Sequence, residues 1–218
     1  MGLLKNKYAI VTGAASARGL GKATAQMFAE HGATIAILDL DADAAKAAAA
    51  DLGKGHVGLA CNVTDKDACN AAIQTLMDSW GRIDILVNNA GIPQPLKIME
   101  IEPQNYDAVT DVNLRGTLYV SQAVIPGMIA QKSGSIVNLS SVSAQRGGGI
   151  FGGPHYSAAK AGVLGLTKAM ARELAPDNVR VNAICPGFIA TDITAGKLTA
   201  DQQQMVLDGI PMGRAGAA

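Results

Sequence analysis

The stretch Tyr8-Ala-Ile-Val-Thr-Gly-Ala-Ala-Ser-Ala-Arg-Gly-Leu-Gly21 decides the fold of this chain. Its first five residues form a short apolar run, which is typical of a buried strand. A glycine-rich turn follows and leads into a helical segment over residues 22–31. Glycines between a strand and a helix let backbone N–H groups approach a pyrophosphate, and the helix N-terminus favours the negative charge. The stretch therefore predicts a phosphate-binding loop, with a plain turn as the alternative.

The rest of the chain repeats the alternation of strand and helix. Further strands are predicted over residues 34–38, 56–61, 83–87, 134–139 and 179–184, and helices over 41–52, 66–80, 103–132 and 156–175. We expect the helical region 103–132 to break or bend near Pro126, and residues 192–218 to form a polar loop or helix hairpin. This alternation predicts an α/β fold: a Rossmann-like, doubly wound parallel sheet with helices on both faces, in a single domain over residues 1–218.

Composition excludes several classes of function. The 218 residues include 18 Lys and Arg against 18 Asp and Glu, without a basic block, which argues against nucleic acid or an anionic membrane as partner. No apolar run is long enough to span a membrane, and the first residues lack a signal-peptide pattern, so we expect a cytoplasmic protein. The three cysteines lack metal-type spacing, so we expect reduced thiols and no metal site.

Asp39 bears on the choice of cofactor. It ends the second predicted strand, 18 residues past Gly21, where a carboxylate accepts hydrogen bonds from an adenosine ribose and repels a 2′-phosphate. Arg18 in the glycine loop instead favours NADP, because a guanidinium can pair with that phosphate. The alternative is that Arg18 simply faces solvent. We weigh the carboxylate more heavily and predict NAD, with NADP the less favoured cofactor.

The pair Tyr156 and Lys160 predicts acid/base chemistry. Four residues apart on a helix, the two side chains share one face. An ammonium beside a phenol favours the phenolate and lowers the phenol's pKa from about 10 towards neutrality. Such a hydroxyl can give a proton to a carbonyl or take one from an alcohol.

With these pieces placed, the chain resembles the short-chain dehydrogenase/reductase family over residues 7–216. The resemblance rests on motifs that occur in the family's order: Thr12-Gly13…Gly19-x-Gly21, Asn88-Asn-Ala-Gly91, Asn113, Ser140-Ser141, Tyr156-x-x-x-Lys160 and Pro186-Gly-x-x-x-Thr191. The family implies NAD(P)-dependent hydride transfer between a secondary alcohol and a ketone.

The resemblance also implies roles for individual residues. Tyr156 is the expected acid/base, Lys160 its pKa-lowering partner, and Ser141 the hydrogen-bond donor to the substrate oxygen. Asn113 is expected to bend its helix and hold a water that links Lys160 to solvent. The residues expected to bind the cofactor are Gly13, Ser16, Arg18, Gly19, Leu20, Gly21, Asp39, Asn62, Val63, Asn89, Ala90, Gly91, Tyr156, Lys160, Pro186, Gly187, Ile189 and Thr191.

The chain departs from the family pattern in several places. The glycine loop is two residues longer than usual, with Ala17-Arg18 inserted. The segment before Tyr156 is also two residues longer, so that Ser143 has the more usual distance; we keep Ser141, because the preceding strand sets its position. Asn62 stands where the family usually has Asp. Relatives continue into a seventh strand, so we expect an open sheet edge at residues 179–184 and a native chain longer than this one.

The substrate is the least determined feature. We expect residues 93–96, 143–151, 188 and 191–212 to line its pocket, with Arg146 either pairing with a substrate carboxylate or facing solvent, and His155 a lining or surface residue. Reductases of 3-oxoacyl-(acyl-carrier-protein) place basic residues where this chain has Tyr119 and Asp177, which favours instead a small substrate such as a sugar or sugar acid. The acyl-carrier-protein reductase remains the first alternative, and a non-catalytic NAD(H)-binding sensor or structural subunit the second. Small residues at Ala161, Gly165 and Ala169 suggest a homodimer or homotetramer.

Overall fold

The computed structural model describes residues 2–148, 150–192 and 198–218. Its centre is a six-stranded, wholly parallel sheet in the order β3-β2-β1-β4-β5-β6. The strands are β1 (Tyr8–Thr12), β2 (Thr34–Asp39), β3 (Val57–Ala60), β4 (Ile85–Asn88), β5 (Gly134–Leu139) and β6 (Val179–Ile184). The predicted Rossmann-like sheet is confirmed. The strand order reverses between β1 and β4, which opens a crevice at their carboxyl ends.

Helices cover both faces of the sheet. They are α1 (Leu20–Glu30), α2 (Ala42–Ala50), α3 (Lys66–Trp80), α4 (Pro103–Thr110), α5 (Gly116–Ala130), α6 (Ser143–Arg146), α7 (Pro154–Leu174) and α8 (Ala200–Asp208). Successive residues of a strand point to opposite faces, so β1 contributes to two cores. Ile10 packs with residues of α3, α5 and α7, whereas Ala9 and Val11 pack with residues of α1 and α2. Within the described ranges, no helix has the length and apolar character needed to cross a membrane.

The long helical region is interrupted at Asn113, where the family resemblance implied a bend, and not near Pro126, where the proline predicted one. A π-helical turn over Asp111–Arg115 separates α4 from α5, and α5 continues through Pro126. The Asn113 side-chain amide donates to the carbonyl oxygen of Val109 at 2.8 Å, so it takes part in the helix's own hydrogen bonding. Pro126 and Gln122 both lie on the exposed face, where water can bind the carbonyl that loses its donor.

The sheet has an open edge at β6, as predicted. Among the described strands, β6 pairs with β5 alone. Among the described residues beyond β6, α8 is the one helix, and Ile189 makes an isolated bridge to Gly216. Part of the predicted polar loop or helix hairpin, residues 193–197, lies outside the described residues.

Candidate active site

The turn after β1 is tied to the end of β4 by hydrogen bonds. The hydroxyl oxygen of Thr12 accepts from the backbone N–H groups of Asn89 and Ala90, both at 3.0 Å. The side-chain amide of Asn89 donates to the carbonyl oxygens of Thr12 at 2.9 Å and Gly13 at 2.8 Å. These bonds hold together the two sides of the crevice where the strand order reverses. Asn89, predicted to bind the cofactor, uses its side chain to hold the loop in place.

Glycines bring the start of α1 close to this loop. Gly13 has φ +62°, and a Cβ there would lie 2.6 Å from the Cα of Ala90. A Cβ at Gly21 would lie 2.5 Å from the amide nitrogen of Asn89. Helix α1 begins after Gly19 without a side-chain cap and without an acidic residue in its first turn. Its first N–H groups are therefore suited to a pyrophosphate, which is the group that the residues of this loop fit.

Asp39 lies beside the same loop, at the carboxyl end of β2. Its carboxylate accepts from the backbone N–H of Ala15 at 2.9 Å and from that of Leu40 at 2.8 Å. Asn62 is exposed, and its amide oxygen accepts from the N–H and the hydroxyl of Thr64, so its side chain shapes its own turn. Val63, the next residue, is buried.

Arg18 bonds to Asp192, which the sequence analysis had not singled out. The Asp192 carboxylate accepts from Arg18 Nε at 2.8 Å, from the Arg18 backbone N–H at 2.9 Å and from the Ser16 hydroxyl at 2.8 Å. Asp192 follows Thr191, whose predicted contact with the cofactor was the only signal that could have drawn attention to it. Arg18 therefore pairs with a carboxylate of its own chain.

Ser141, Tyr156 and Lys160 come together where β5 ends. Tyr156 and Lys160 lie on one face of α7, with the Lys160 Nζ atom 5.8 Å from the centre of the phenol ring. Lys160 is buried, and its Nζ donates to the carbonyl oxygen of Leu139 at 2.7 Å. Ser141 lies near enough to Tyr156 to lower the pKa of the phenol. Ser143 instead donates its backbone N–H to the Ser141 oxygen at 3.1 Å, which leaves Ser141 as the residue beside the phenol.

The pKa of Tyr156 differs from the sequence-based expectation. Burial raises the pKa of the phenol, and the nearby Ser141 offsets only part of that rise. Burial also lowers the pKa of the Lys160 ammonium to about 8. The predicted lowering by Lys160 is wrong, because the ammonium donates to the Leu139 carbonyl while burial penalises the phenolate.

Asn113 completes the group from the π-helical turn. It is fully buried, and its amide nitrogen donates to the carbonyl oxygens of Val109 and Ile92. A Cβ at Gly91 would lie 2.6 Å from the Asn113 amide oxygen and 3.3 Å from Lys160 Nζ. The amide oxygen and the ammonium thus converge behind Gly91.

Three loops meet on the side of Tyr156 where a substrate would approach. Gly153 donates its N–H to the carbonyl oxygen of Gln94 at 2.7 Å, and the His155 ring lies 3.1 Å from the Gln94 side-chain oxygen. Phe151 stacks on Phe188, with ring centres 5.5 Å apart. His155 is buried rather than exposed, and burial lowers its pKa, so the ring is neutral near pH 7. Arg146 is exposed at the end of α6.

The segment after β6 borders the same region. Val142 donates its N–H to the carbonyl oxygen of Pro186 at 3.1 Å, and Ala190 donates to that of Gly216 at 2.9 Å. Thr191 is buried. The segment from Pro186 to Thr191 is thereby held next to the loop that carries Ser141. The part of the predicted pocket wall at residues 193–197 lies outside the described residues.

A phosphate-binding loop at the strand-order reversal, beside a half-buried Tyr and a buried Lys, Ser and Asn, defines an oxidoreductase of the nicotinamide-dependent class. Residues 13–218 match the family model described as enoyl-(acyl carrier protein) reductase. The chain belongs to the short-chain dehydrogenase/reductase family.

Individual relatives support this assignment. The chain is 54% identical to the uncharacterized short-chain type dehydrogenase/reductase y4mP of Sinorhizobium fredii, covering 99% of this chain and 87% of that protein. It is 44% identical to the 3-oxoacyl-(acyl-carrier-protein) reductase FabG of Thermotoga maritima, covering 98% and 86%. The crystal structure of gox2181 superposes with a TM-score of 0.92 at 34% identity, covering 98% and 84%. The structure of a putative short-chain alcohol dehydrogenase from Sinorhizobium meliloti gives 0.89 at 35% identity, with the same coverage.

Proposed function

We propose that the protein transfers a hydride reversibly between NAD(H) and a small secondary alcohol or ketone, with Tyr156 as the general acid/base. The observation that supports this most directly is that Tyr156 lies on one face of α7 with the buried Lys160, whose Nζ atom is 5.8 Å from the centre of the phenol ring, with Ser141 nearby. A bound nicotinamide supplies or accepts the hydride; the protein's own residues manage the proton.

The residues divide the proton chemistry between them. In the reducing direction, the Tyr156 hydroxyl gives its proton to the carbonyl oxygen, and the Ser141 hydroxyl donates a hydrogen bond to the same oxygen as charge develops there. Lys160, with its pKa lowered to about 8, can return a proton to the phenolate near neutral pH. Asn113 Oδ1 faces the same point as Lys160 Nζ and is placed to hold a water between the ammonium and solvent.

The raised pKa of Tyr156 sets a direction for the pH dependence. A neutral phenol can donate a proton at pH 7 without further change, so reduction proceeds there. Oxidation of an alcohol requires the phenolate, whose fraction rises with pH. We therefore propose that the oxidative reaction has the more alkaline pH optimum.

NAD is the proposed cofactor because of Asp39. Its carboxylate lies at the carboxyl end of β2 and is fixed by the N–H groups of Ala15 and Leu40. A fixed negative charge beside the adenosine ribose site accepts ribose hydroxyls and opposes a 2′-phosphate. Dissociation constants for NADH and NADPH, measured by fluorescence, test this choice; tighter binding of NADPH would contradict it.

A small soluble substrate, such as a sugar, sugar acid or other hydroxy acid, is the proposed class. Carrier-protein reductases of the family place basic residues where this chain has Tyr119 and Asp177, and Asp177 bonds to Lys132. The alternative substrate, a 3-oxoacyl thioester on acyl carrier protein, is favoured by the names of relatives that are 40–44% identical. A turnover screen of hydroxy acids, sugars and acyl thioesters with both cofactors separates the two substrate classes.

Tyr156→Phe tests the chemistry itself. We expect the variant to lose at least about 100-fold in turnover while it still binds NADH, because only the proton donor is removed. Tyr106→Phe is the matched control, since Tyr106 is an exposed tyrosine on α4. Equal turnover by wild type and Tyr156→Phe would remove the phenol from the mechanism. Binding of NADH without turnover of any substrate by the wild type would favour a sensor or structural subunit.

Assembly into a homodimer or homotetramer is proposed from the surface of α7. Ala161, Gly165 and Ala169 form an exposed stripe of small residues, and a Cβ added at Gly165 would meet no other atom within 4 Å. Such a stripe allows another helix to approach closely. Light scattering after size exclusion, compared for wild type and Gly165→Arg, tests the proposal; a wild-type monomer would refute it.

A further inference from the structure

The two-residue extension of the glycine loop has a partner on the far side of the crevice. Arg18 belongs to that extension, and Asp192 lies just past Thr191, in the segment that follows β6. Three hydrogen bonds run from the loop to the carboxylate of Asp192: two from Arg18 and one from Ser16. A fourth runs the other way, from the Asp192 N–H to the Arg18 carbonyl oxygen at 3.1 Å. The two segments are therefore joined through main chain and side chain together.

The donors that meet at Asp192 form an anion site. A hydroxyl, a backbone N–H and a guanidinium Nε are groups that proteins also use to bind phosphate monoesters. The Arg18 N–H, the Ser16 hydroxyl and the Arg18 guanidinium hold the pKa of the Asp192 carboxyl below its ordinary value. The carboxylate therefore stays ionised near neutral pH. It accepts the hydrogen bonds that these donors could otherwise give to a bound anion.

Asp39 reaches the same loop from its other end. It accepts from the N–H of Ala15, while Ser16 and Arg18 donate to Asp192. Residues 15–18 are thus held by two carboxylates from different parts of the chain. The negative charge of Asp39 repels a phosphate on the ribose, and Asp192 pairs with the Arg18 guanidinium that would attract one.

We infer that Asp192 is a cofactor-specificity residue, which keeps Arg18 and Ser16 engaged and so denies the 2′-phosphate of NADP its cationic partner in the glycine loop. The inference rests on the proposed function in that it assumes a dinucleotide in the crevice. It goes beyond the role of Asp39, because it assigns part of the discrimination to a residue across the crevice from the adenosine ribose.

Direct binding measures the effect without any need for a substrate. Fluorescence titrations give dissociation constants of NADH and NADPH for wild type, Asp192→Asn, Arg18→Gln and the double variant. We expect Asp192→Asn to bind NADPH about tenfold more tightly, because a charge-assisted hydrogen bond to the phosphate becomes available. Its affinity for NADH should stay within about twofold of wild type, since NADH lacks the phosphate that Arg18 would bind.

Controls separate this from general effects. The double variant should not bind NADPH more tightly than wild type, because the guanidinium that Asp192→Asn releases is then absent. Asp78→Asn, which removes an exposed carboxylate on α3, should change neither affinity. Circular dichroism and thermal unfolding check that each variant is folded, and Asp192→Ala serves as a second test if Asp192→Asn is unstable.

Several results would overturn the inference. One is an unchanged ratio of the two affinities in Asp192→Asn; another is a gain that survives in the double variant. An equal rise in affinity for both cofactors would show that the Arg18–Asp192 bond limits access of any dinucleotide and does not discriminate between NADH and NADPH. A wild type that binds NADPH more tightly than NADH would refute the proposed NAD dependence alone, because a further gain in Asp192→Asn would still support the role of Asp192.

Discussion

Replacing Lys160 by methionine should make the protein more stable and inactive. The side chain is only 4% exposed, and burial lowers the pKa of its ammonium from 10.5 to about 8. At neutral pH the folded protein therefore keeps a positive charge in a buried environment that destabilises it. Methionine has a similar length and no charge, so Lys160→Met removes this cost together with the group that is proposed to serve Tyr156.

The size of the effect follows from the pKa. At about 1.4 kcal/mol per tenfold change in proton affinity, burying the ammonium costs about 3 kcal/mol at pH 7. The substitution also leaves the Leu139 carbonyl oxygen without the donor at 2.7 Å, which costs about 1 kcal/mol. We expect a net gain of about 2 kcal/mol in the free energy of unfolding at pH 7.

The gain should depend on pH in a defined direction. Because the folded-state pKa of Lys160 lies below its unfolded value, the unfolded chain binds more protons between about pH 8 and 10.5, and the wild type becomes more stable as pH rises through that window. By pH 9.5 the wild type should have regained about 2 kcal/mol, which removes most of the advantage of Lys160→Met.

Urea unfolding followed by far-UV circular dichroism, at fixed protein concentration and at pH 7 and 9.5, measures both quantities. Lys168→Met is the matched control, because Lys168 lies on the same helix but is exposed, and its substitution should change stability by less than about 0.5 kcal/mol at either pH. A Lys160→Met protein that is less stable than wild type at pH 7, or whose advantage is the same at both pH values, would refute the reasoning. The same variant should lose at least about 100-fold in turnover.

Three further changes test contacts that hold the sheet together with its helices and loops. Gly58→Ala should cost about 3 kcal/mol in urea unfolding, because the new Cβ would lie 2.2 Å from a backbone oxygen of α2; a loss under 1 kcal/mol would contradict this. Thr12→Val should cost about 2 kcal/mol and weaken NADH binding, since two N–H groups after β4 lose their acceptor, whereas Thr12→Ser should be close to wild type. Burial raises the pKa of Asp84, but hydrogen bonds, including those from Arg82 and Lys7, outweigh it and leave the pKa below 3.8. The stability that ionised Asp84 contributes is present above about pH 4 and is lost as the pH falls further. Asp84→Asn should therefore cost about 2 kcal/mol in the free energy of unfolding at pH 7 and reduce the loss of stability below about pH 4. An unchanged loss of stability in acid would count against this.

Most of the fold could be predicted from local patterns. The predicted bounds of the first, fifth and sixth strands agree with β1, β5 and β6, because each is a run rich in apolar and β-branched residues that ends at a turn. The break predicted near Pro126 was wrong, because α5 continues through this proline; only the family resemblance pointed to Asn113, whose amide donates to the carbonyl oxygen of Ile92, 21 residues earlier. A side-chain bond across that separation cannot be inferred from helix periodicity.

Some features of the candidate site could likewise be predicted from local patterns, and others could not. Spacing along α7 places Tyr156 and Lys160 on one face, and the end of β5 places Ser141 within reach, so the sequence alone determined which groups meet. Only the tertiary structure decided their electrostatics, because the raised pKa of Tyr156 comes from its burial. It likewise decided that Arg18 faces Asp192, 174 residues away, since ion pairs across a crevice depend on how the segments fold together. Periodicity and motif order are properties of neighbouring residues, whereas burial and long-range pairing arise when the chain packs, and the latter set the chemistry of these side chains.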